Sequence, residues 1–244
     1  MNPKTVLFPL PTTDFDPTEV AVPWKMLESA GVKTVFATPN GHRPSADPIM
    51  LSGRGLGLLK SALMAQPIAR KAYSALLQTE GFQKPRSYAE ISSGAYDGVI
   101  LAGGHASGMK PYLESSVLQK WVADFAQTGR PVGAICHGVV LAARSGILKN
   151  RRTTALPKWM ELSAWGMTRL WMGSYYRTYP ETVEDEVKSA LSDASQFECG
   201  PMSLVRDSEK NLDSGFTVRD GNYLSARWPG DAHRFGRDFL EMLK

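Results

Sequence analysis

The sequence predicts an α/β protein in which a mostly parallel sheet carries helices on both faces. Short apolar runs, bounded by Gly and Pro, alternate with segments of helical periodicity, and this alternation is typical of parallel sheets. Of the 244 residues, 43% are hydrophobic and 21% are charged. The chain therefore has enough apolar side chains for one large core and too little charge for a disordered protein, and its length fits a single domain with insertions.

The first strand–helix–strand unit shows this alternation most clearly. Residues 5–10 form an apolar run, and the next helix begins after Asp16, a suitable N-cap, with Pro17 in its first turn. Gly31 predicts the end of this helix, and residues 32–38 form the second predicted strand.

Two segments interrupt the pattern in the rest of the chain. Residues 39–95 and 150–210 fit the alternation poorly, and we interpret them as elaborations of one domain that covers residues 1–244. Each contains one predicted helix, at 58–77 and 180–194. The remaining predicted strands are 96–102, 131–135, 216–218 and 223–225, and the remaining predicted helices are 115–128, 137–145 and 231–243.

The stretch from Val132 to Val139 is the most informative part of the sequence. An apolar strand stops at Cys136, and residues compatible with a helix resume at once. This pattern predicts a strand–turn–helix elbow with a nucleophile on its bend, and Gly138 leaves that turn free of a Cβ clash. The helix start would lower the pKa of the thiol, and His137 would place an imidazole beside it. A buried structural cysteine is the alternative interpretation.

A second candidate element, Gly103-Gly104-His105, follows the strand that we expect beside the strand of the cysteine. Open α/β sheets bind ligands at the carboxyl ends of their strands, so both loops would open at the same edge. Glycines at that edge allow backbone N–H groups to face a developing oxyanion. An ordinary turn is the alternative.

Glu19 is the third candidate, because it lies in the first turn of the first predicted helix, again at the carboxyl end of a strand. A carboxyl group beside a thiol can exchange protons with it, and burial would raise its pKa for that purpose. A first-turn glutamate that merely offsets the helix dipole is the alternative.

Three motifs in this sequence resemble the ThiJ/PfpI family of the glutamine-amidotransferase-like superfamily. The similarity extends over residues 4–38, 96–154 and 214–243 and implies a flavodoxin-like three-layer sandwich. The motifs are Tyr-Asp-Gly-Val-Ile-Leu-Ala-Gly-Gly-His (96–105), Gly-Arg-Pro-Val-Gly-Ala-Ile-Cys-His-Gly (129–138) and Asp-Gly-Asn-Tyr-Leu-Ser-Ala-Arg (220–227).

The resemblance also implies roles for individual residues. Cys136 matches the nucleophile, and His137 matches the histidine that follows it. Glu19 matches the glutamate that hydrogen-bonds the thiol and acts as acid/base in glyoxalase III members. The N–H groups of Gly104 and His137 would form the oxyanion hole, and His105 would border the pocket.

The sequence departs from the family pattern after the strand that follows the elbow. Branches with a full catalytic triad place an acidic residue there to orient the histidine, whereas residues 154–161 contain no aspartate. Glu161 is the nearest acid and the candidate third member. Peptidase activity is therefore not favoured, since an imidazole without its orienting group has no fixed tautomer.

The remaining polar and aromatic candidates carry weaker signals. His42 and His233 have no ligand-like spacing to other metal-binding residues, so we expect surface positions and no metal site. Cys199 is expected to be a partly exposed thiol. The Trp- and Tyr-rich segment 159–179 is expected in the core or a subunit interface, with a pocket lid as the alternative.

These observations favour a cofactor-free, cysteine-dependent enzyme that acts on small reactive carbonyls, as a glyoxalase III or a deglycase does. A holding chaperone or redox-stress sensor is one alternative, and an amidase or isonitrile-hydratase-like hydrolase is another. Basic residues are scattered despite an isoelectric point near 9.0, so nucleic acid is not an expected partner. We expect no membrane span, no secretory signal, a cytoplasmic location and a homodimer.

Overall fold

One seven-stranded sheet organises the chain, and the computed structural model describes residues 3–244. Met1 and Asn2, with which the predicted domain begins, lie outside the described residues. The strand order is β3-β2-β1-β4-β5-β7-β6, and every neighbouring pair is parallel except β6–β7. The strands are β1 (Thr5–Pro9), β2 (Lys33–Thr38), β3 (Arg86–Ser87), β4 (Gly98–Leu101), β5 (Val132–Ile135), β6 (Thr217–Asp220) and β7 (Tyr223–Ala226).

Helices cover both faces of this sheet, which confirms the predicted flavodoxin-like sandwich. The first strand runs into a helix capped by Asp16, and Pro17 stands in its first turn as predicted. The helices are α1 (Pro17–Ser29), α2 (Pro48–Ser52), α3 (Lys60–Leu63), α4 (Pro67–Leu76), α5 (Glu80–Gln83), α6 (Lys110–Leu113), α7 (Ser116–Ala126), α8 (Gly138–Arg144), α9 (Lys158–Met172), α10 (Val183–Ser189) and α11 (Ala232–Met242).

The helices form two groups, and the helices within each group pack against one another. Helix α1 contacts α4 and α11, whereas α8 contacts α6, α7 and α10. The central strands β4 and β5 are buried along their whole length, as expected for strands covered on both faces. None of the helices within residues 3–244 combines the length and the apolar composition that crossing a membrane requires.

The two elaborations differ from their sequence predictions. The helix expected at 58–77 is broken, because Pro67 offers no N–H and holds Gln66 in an extended conformation. Helix α10 is shorter than the predicted 180–194. The segment 150–210 also contains α9, which we did not predict: its aromatic residues and Gly166 weaken the helical pattern, and Pro157 provides no side-chain cap.

Candidate active site

Cys136 stands on the predicted elbow between β5 and α8. Its φ is +56°, a conformation that costs energy for any residue with a side chain and that marks many functional sites. A Cβ atom on Gly138 would overlap the carbonyl oxygen of Leu101 on the neighbouring strand, so the turn requires glycine there. The sulfur is therefore held at the carboxyl edge of the sheet by a bend that only this sequence pattern allows.

Burial decides the acidity of the thiol. Cys136 is only 4% exposed, and this burial raises the pKa of its thiol well above the usual value. The nearby carboxyl groups of Glu19 and Asp16 raise it further, while the backbone N–H of His137 lowers it. The expected lowering of the thiol pKa by the helix start is thus wrong, because loss of solvent outweighs the contribution of the backbone.

Glu19 lies fully buried against the thiol. Its Oε2 accepts the N–H of Gly103 at 2.7 Å, while Oε1 is buried without a hydrogen-bond partner in the described protein. Burial, then the charge of Asp16, raises the pKa of Glu19 well above its usual value. Burial thus favours the protonated form of Glu19, which can donate a proton, whereas the alternative of a glutamate that merely offsets the helix dipole requires the ionised form.

Asp16 is a polar group of the site that the sequence marked only as a helix cap. Its Oδ1 accepts the N–H groups of Thr18 and Glu19 at 2.7 and 3.2 Å. Burial raises the pKa of Asp16 to about 6, so it is mostly ionised at neutral pH. Capping thus holds a charge next to Glu19 and helps to keep that second carboxyl protonated.

The imidazole of His137 connects the thiol to Thr178. Nδ1 of His137 lies 3.5 Å from Sγ of Cys136, and Nε2 lies 3.1 Å from Oγ1 of Thr178. Thr178 donates its single hydroxyl proton to the carbonyl oxygen of His105 at 2.6 Å. Since that proton is committed, Oγ1 accepts from His137, and Nε2 must carry a hydrogen. The lone pair of Nδ1 then faces the thiol.

Glu161 does not occupy the position opposite His137. Its Oε2 accepts the N–H of Val183 at 2.9 Å, and its Oε1 lies 3.3 Å from Nε of Arg177. The hydroxyl of Thr178 stands where a triad acid would stand, so the candidate role of Glu161 as third member is not what the geometry shows. Burial raises the pKa of Glu161 to about 7.

The two glycines in the turn after β4 have different roles. The N–H of Gly103 is used by Glu19, and a Cβ atom on Gly103 would lie 2.8 Å from Oε2 of that carboxyl. The N–H of Gly103 is therefore not available to an oxyanion, and the role of the N–H groups of Gly104 and His137 as an oxyanion hole stays a prediction. His105 stacks on Tyr176, and burial lowers the pKa of its imidazole to about 4, so it is neutral.

A cavity of about 600 Å³ lies next to the thiol and is lined by Cys136, Glu19, Asp16, Gly104 and His105. Residues from both elaborations form its walls. The aromatic segment contributes to this wall and to the core. The wall residues from the two elaborations are Met50, Leu59, Ser61, Ala62, Leu63, Gln66, Leu156, Trp159, Met160, Glu161, Ser163, Ala164, Met167, Tyr176, Leu204 and Arg206.

Three further candidates lie apart from this constellation. His42 and Cys199 are exposed, as predicted. The prediction of a surface position for His233 is wrong: its side chain is buried, and its Nδ1 lies 3.0 Å from Oδ1 of Asp207. Asp207 also accepts the N–H groups of His233 and Arg234, which ties the loop before β6 to the start of α11.

The fold and the elbow define a class of α/β proteins with a cysteine at the carboxyl edge of a parallel sheet. A family model described as ThiJ/PfpI family-like matches residues 10–201, and the chain belongs to the ThiJ/PfpI family. Deglycase TK1284 of Thermococcus kodakarensis is 25% identical over 160 residues, which are 65% of this chain and 69% of that protein.

Solved structures share the whole fold. Glyoxalase III of Candida albicans superposes with a TM-score of 0.66 at 17% identity, over 99% of this chain and 98% of the other. DJ-1beta of Drosophila melanogaster superposes with a TM-score of 0.60 at 17% identity, over 99% of this chain and 90% of the other. Both are similar in fold across the sheet and its helices.

Proposed function

We propose that this protein is a cofactor-independent, cysteine-dependent enzyme that converts small reactive carbonyls in the manner of a glyoxalase III. The observation that carries the proposal is the fully buried carboxyl of Glu19, whose pKa burial raises, beside the thiol of Cys136 in the wall of a largely apolar cavity. A thiol and an acid in one buried site are the groups that a carbonyl adduct and a proton transfer require. The similarity to a deglycase supports the same class of chemistry.

The first step forms a hemithioacetal with methylglyoxal as the model substrate. The sulfur of Cys136 attacks the aldehyde carbon while its proton passes to Nδ1 of His137, whose lone pair faces it. Glu19 donates its proton to the aldehyde oxygen, and the N–H groups of Gly104 and His137 stabilise charge on that oxygen as it develops. One carbon–sulfur bond forms, and Glu19 becomes a carboxylate.

The second step moves a hydrogen between neighbouring carbons. The carboxylate of Glu19 removes the proton from the former aldehyde carbon, and His137 protonates the ketone oxygen, which gives an enediol. Glu19 gives this proton to the second carbon, and the hydroxyl proton of the first carbon passes to the carboxylate of Glu19, so that the first carbon becomes the carbonyl of a lactoyl thioester and Glu19 is again protonated. Water then cleaves the carbon–sulfur bond, and the products are lactate and the free thiol of Cys136.

Lactate formation without glutathione tests this proposal. Purified protein is incubated with methylglyoxal, and lactate is followed over time for the parent, Cys136→Ser and Glu19→Gln. We expect both variants to lose activity by at least a hundredfold, since each removes a group that acts on the reacting atoms. Cys199→Ser, which changes an exposed thiol, is the matched control and is expected to retain activity. No lactate from the reduced, folded parent would refute the proposal.

Deglycase activity is the closely related alternative at the same site. There the sulfur would attack an adduct that an amine or thiol has formed with methylglyoxal, and the freed amine or thiol would leave. Release of unmodified cysteine from its methylglyoxal adduct, compared between the parent and Cys136→Ser, measures this activity separately from lactate formation.

A holding chaperone is a second candidate function, favoured by exposed apolar side chains on α9 and on residues 202–205, two of which also line the cavity. We define the apolar rim as Met167, Leu170 and Trp171 of α9 together with Met202, Leu204 and Val205. Leu170 is 89% exposed and Met202 80% exposed. Exposed apolar patches of this kind bind partly unfolded proteins or other partners.

Suppression of heat-induced aggregation of a client protein tests the chaperone function. We expect Cys136→Ala to retain suppression, because the rim lies outside the thiol. The double variant Leu170→Glu/Met202→Glu should lose it, whereas Val117→Glu, at an exposed apolar position on α7, should not. Equal suppression by both rim and control variants, or none by the parent, would contradict this function.

A further inference from the structure

The cavity beside Cys136 is much larger than the model substrate. At about 30 Å³ for each water in the liquid, its volume of about 600 Å³ corresponds to roughly twenty water molecules. Methylglyoxal has five non-hydrogen atoms and would displace only a few of them. Cavities of about 300–1,000 Å³ ordinarily hold molecules of drug-like size. Most of the space therefore remains for a part of the substrate that does not react.

The wall of this space is mostly apolar away from the reacting groups, although Ser61, Gln66 and Ser163 also line it. Met50, Leu63, Leu156, Trp159, Met160 and Trp228 line it. Such a wall gains from burying apolar surface of a ligand and offers few partners for hydroxyl or phosphate groups. A sugar or a phosphorylated carbonyl has more polar groups than these few polar side chains can satisfy.

The charged groups of the wall do not select a charged substrate. The negative charge of Asp16 acts on Arg206 without a direct ion pair between them, and Nη2 of Arg206 donates to the carbonyl oxygen of Ala62 at 2.8 Å. The guanidinium also lies over the ring of Trp228 at 5.2 Å. Glu19 is protonated, and Glu161 is paired with Arg177. The opposite charges of Asp16 and Arg206 thus offset each other in part, so that the cavity formed by the described residues offers little net charge to an acidic or basic tail.

The mouth of the cavity continues this apolar character. Met167 and Leu204 line the cavity and are at the same time exposed at the surface. An extended alkyl group that enters the cavity therefore meets apolar side chains from the mouth to the thiol.

We infer that the preferred substrates are 2-oxoaldehydes that carry a neutral alkyl group several carbons longer than the methyl group of methylglyoxal. The inference rests on the proposed function for its reacting groups and on the cavity for its specificity. The aldehyde carbon lies at Cys136, and the alkyl chain fills the space between α9 and the segment around Leu63.

A homologous series separates specificity from reactivity. Methylglyoxal, 2-oxohexanal and 2-oxooctanal carry the same reacting group and differ only in chain length. We expect kcat/KM to rise along the series and to be at least tenfold higher for 2-oxooctanal than for methylglyoxal, since even one methylene in an apolar pocket is worth about tenfold or more. A flat or falling series with methylglyoxal still converted would overturn the inference and leave the proposed function standing.

Variants on one helix test whether this cavity causes the preference. Ser163→Phe places a ring in the cavity from an exposed position of α9, and Ala164→Phe does so from the next residue. Each should lower the ratio of the two kcat/KM values about tenfold. Leu162→Phe, whose side chain is not part of the cavity wall, is the matched control and should leave the ratio unchanged. An unchanged ratio in both cavity variants would overturn the inference.

Binding of an unreactive ketone gives a readout that does not depend on turnover. 2-Octanone and acetone are titrated separately into the full chain while tryptophan fluorescence is followed, because Trp159 and Trp228 line the cavity. We expect saturable quenching by 2-octanone, weakened at least fivefold in Ser163→Phe, and none by acetone at the same concentrations. Without such quenching the inference fails. Quenching without turnover of any aldehyde would instead refute the proposed function alone.

Discussion

Thr178 does for His137 what the acid does in a catalytic triad. A triad acid accepts the imidazole N–H and so fixes the tautomer. Thr178 reaches the same result without a charge, because its own proton is committed to His105 and its oxygen can only accept. Before substrate binds, the imidazole is neutral, because burial lowers the pKa of His137 to about 3.

Removing the hydroxyl of Thr178 should impair proton transfer more than it impairs folding. Thr178→Val keeps the shape of the side chain but leaves Nε2 of His137 unpaired, so we expect kcat for methylglyoxal to fall about ten- to a hundredfold. Thr178→Ser should restore most of it. The ¹⁵N chemical shifts of His137 should report an Nε2–H tautomer in the parent and a mixture in the valine variant. Unchanged kcat and unchanged shifts in Thr178→Val would contradict the assigned role.

Sequence reasoning could find some site residues and not others, for physical reasons. Cys136 and Glu19 sit where a strand meets a helix, so their placement at the sheet edge follows from local pattern. Thr178 lies in an irregular segment and reaches His137 only through tertiary packing. The same packing turned Glu161 toward Arg177, although it was the nearest acid along the chain.

At the scale of elements, the elbow between β5 and α8 depends on the absence of a side chain at Gly138. We expect Gly138→Ala to lower the free energy of unfolding by about 1–3 kcal/mol or more, since its Cβ would overlap the carbonyl of Leu101. The displaced elbow should also reduce activity.

Gly166→Ala is the matched control for that substitution. Gly166 lies within α9, and a Cβ there would meet nothing within 4 Å. Replacing a glycine inside a helix by alanine should raise the free energy of unfolding by about 0.5–1 kcal/mol. Urea unfolding of both variants measures the difference. Two variants with the same stability as each other would contradict the steric explanation.

For elements with clear periodicity and clear capping or Gly and Pro signals, the predicted bounds agree with the observed bounds to within a few residues. Helix α1 has its cap, its first-turn proline and a glycine after its end, and all three signals stand close to the observed bounds. Helix α9 lacks such signals, because a proline precedes it and bulky aromatic residues obscure its apolar stripe. Tertiary packing around the cavity stabilises α9, and local sequence patterns do not predict such packing.

At the scale of the whole molecule, buried carboxyl groups make stability depend on pH. Folding raises the pKa of Asp16 from 3.8 to about 6 and that of Glu161 from 4.5 to about 7. Between pH 3.8 and about 7, the folded state therefore binds more protons than the unfolded state. Their contribution to stability is complete below about pH 4 and is lost as the pH rises toward 7.

The double variant Asp16→Asn/Glu161→Gln tests this dependence. Asparagine still caps α1, and glutamine still accepts the N–H of Val183. The free energy of unfolding of the parent should fall relative to the variant by up to about 1.4 kcal/mol per pH unit for each titrating group between pH 4 and 7. Parallel stability curves for the two proteins across this range would contradict the raised pKa values.

The cavity is also a property of the whole molecule, because residues that are far apart in the sequence form it. Two elaborations that do not follow the regular alternation fold over one end of the sheet and supply most of the wall. The sequence shows the apolar composition of these two segments. Local sequence patterns do not show that the two segments pack together above Cys136. Specificity is therefore a property of the assembled molecule, while the reacting groups belong to single strand ends.

The protonation of Glu19 at a pH where other carboxyl groups have ionised is the most direct test of the account. Infrared difference spectra of the parent and Glu19→Gln, with ¹³C-labelled glutamate, are recorded at pH 8, above the pKa of about 7 for Glu161. We predict a shifted carbonyl band of a protonated glutamic acid that is present in the parent and absent from the variant. A spectrum with only the carboxylate bands of Glu19 at pH 8 would contradict the assignment of Glu19 as the buried acid beside Cys136.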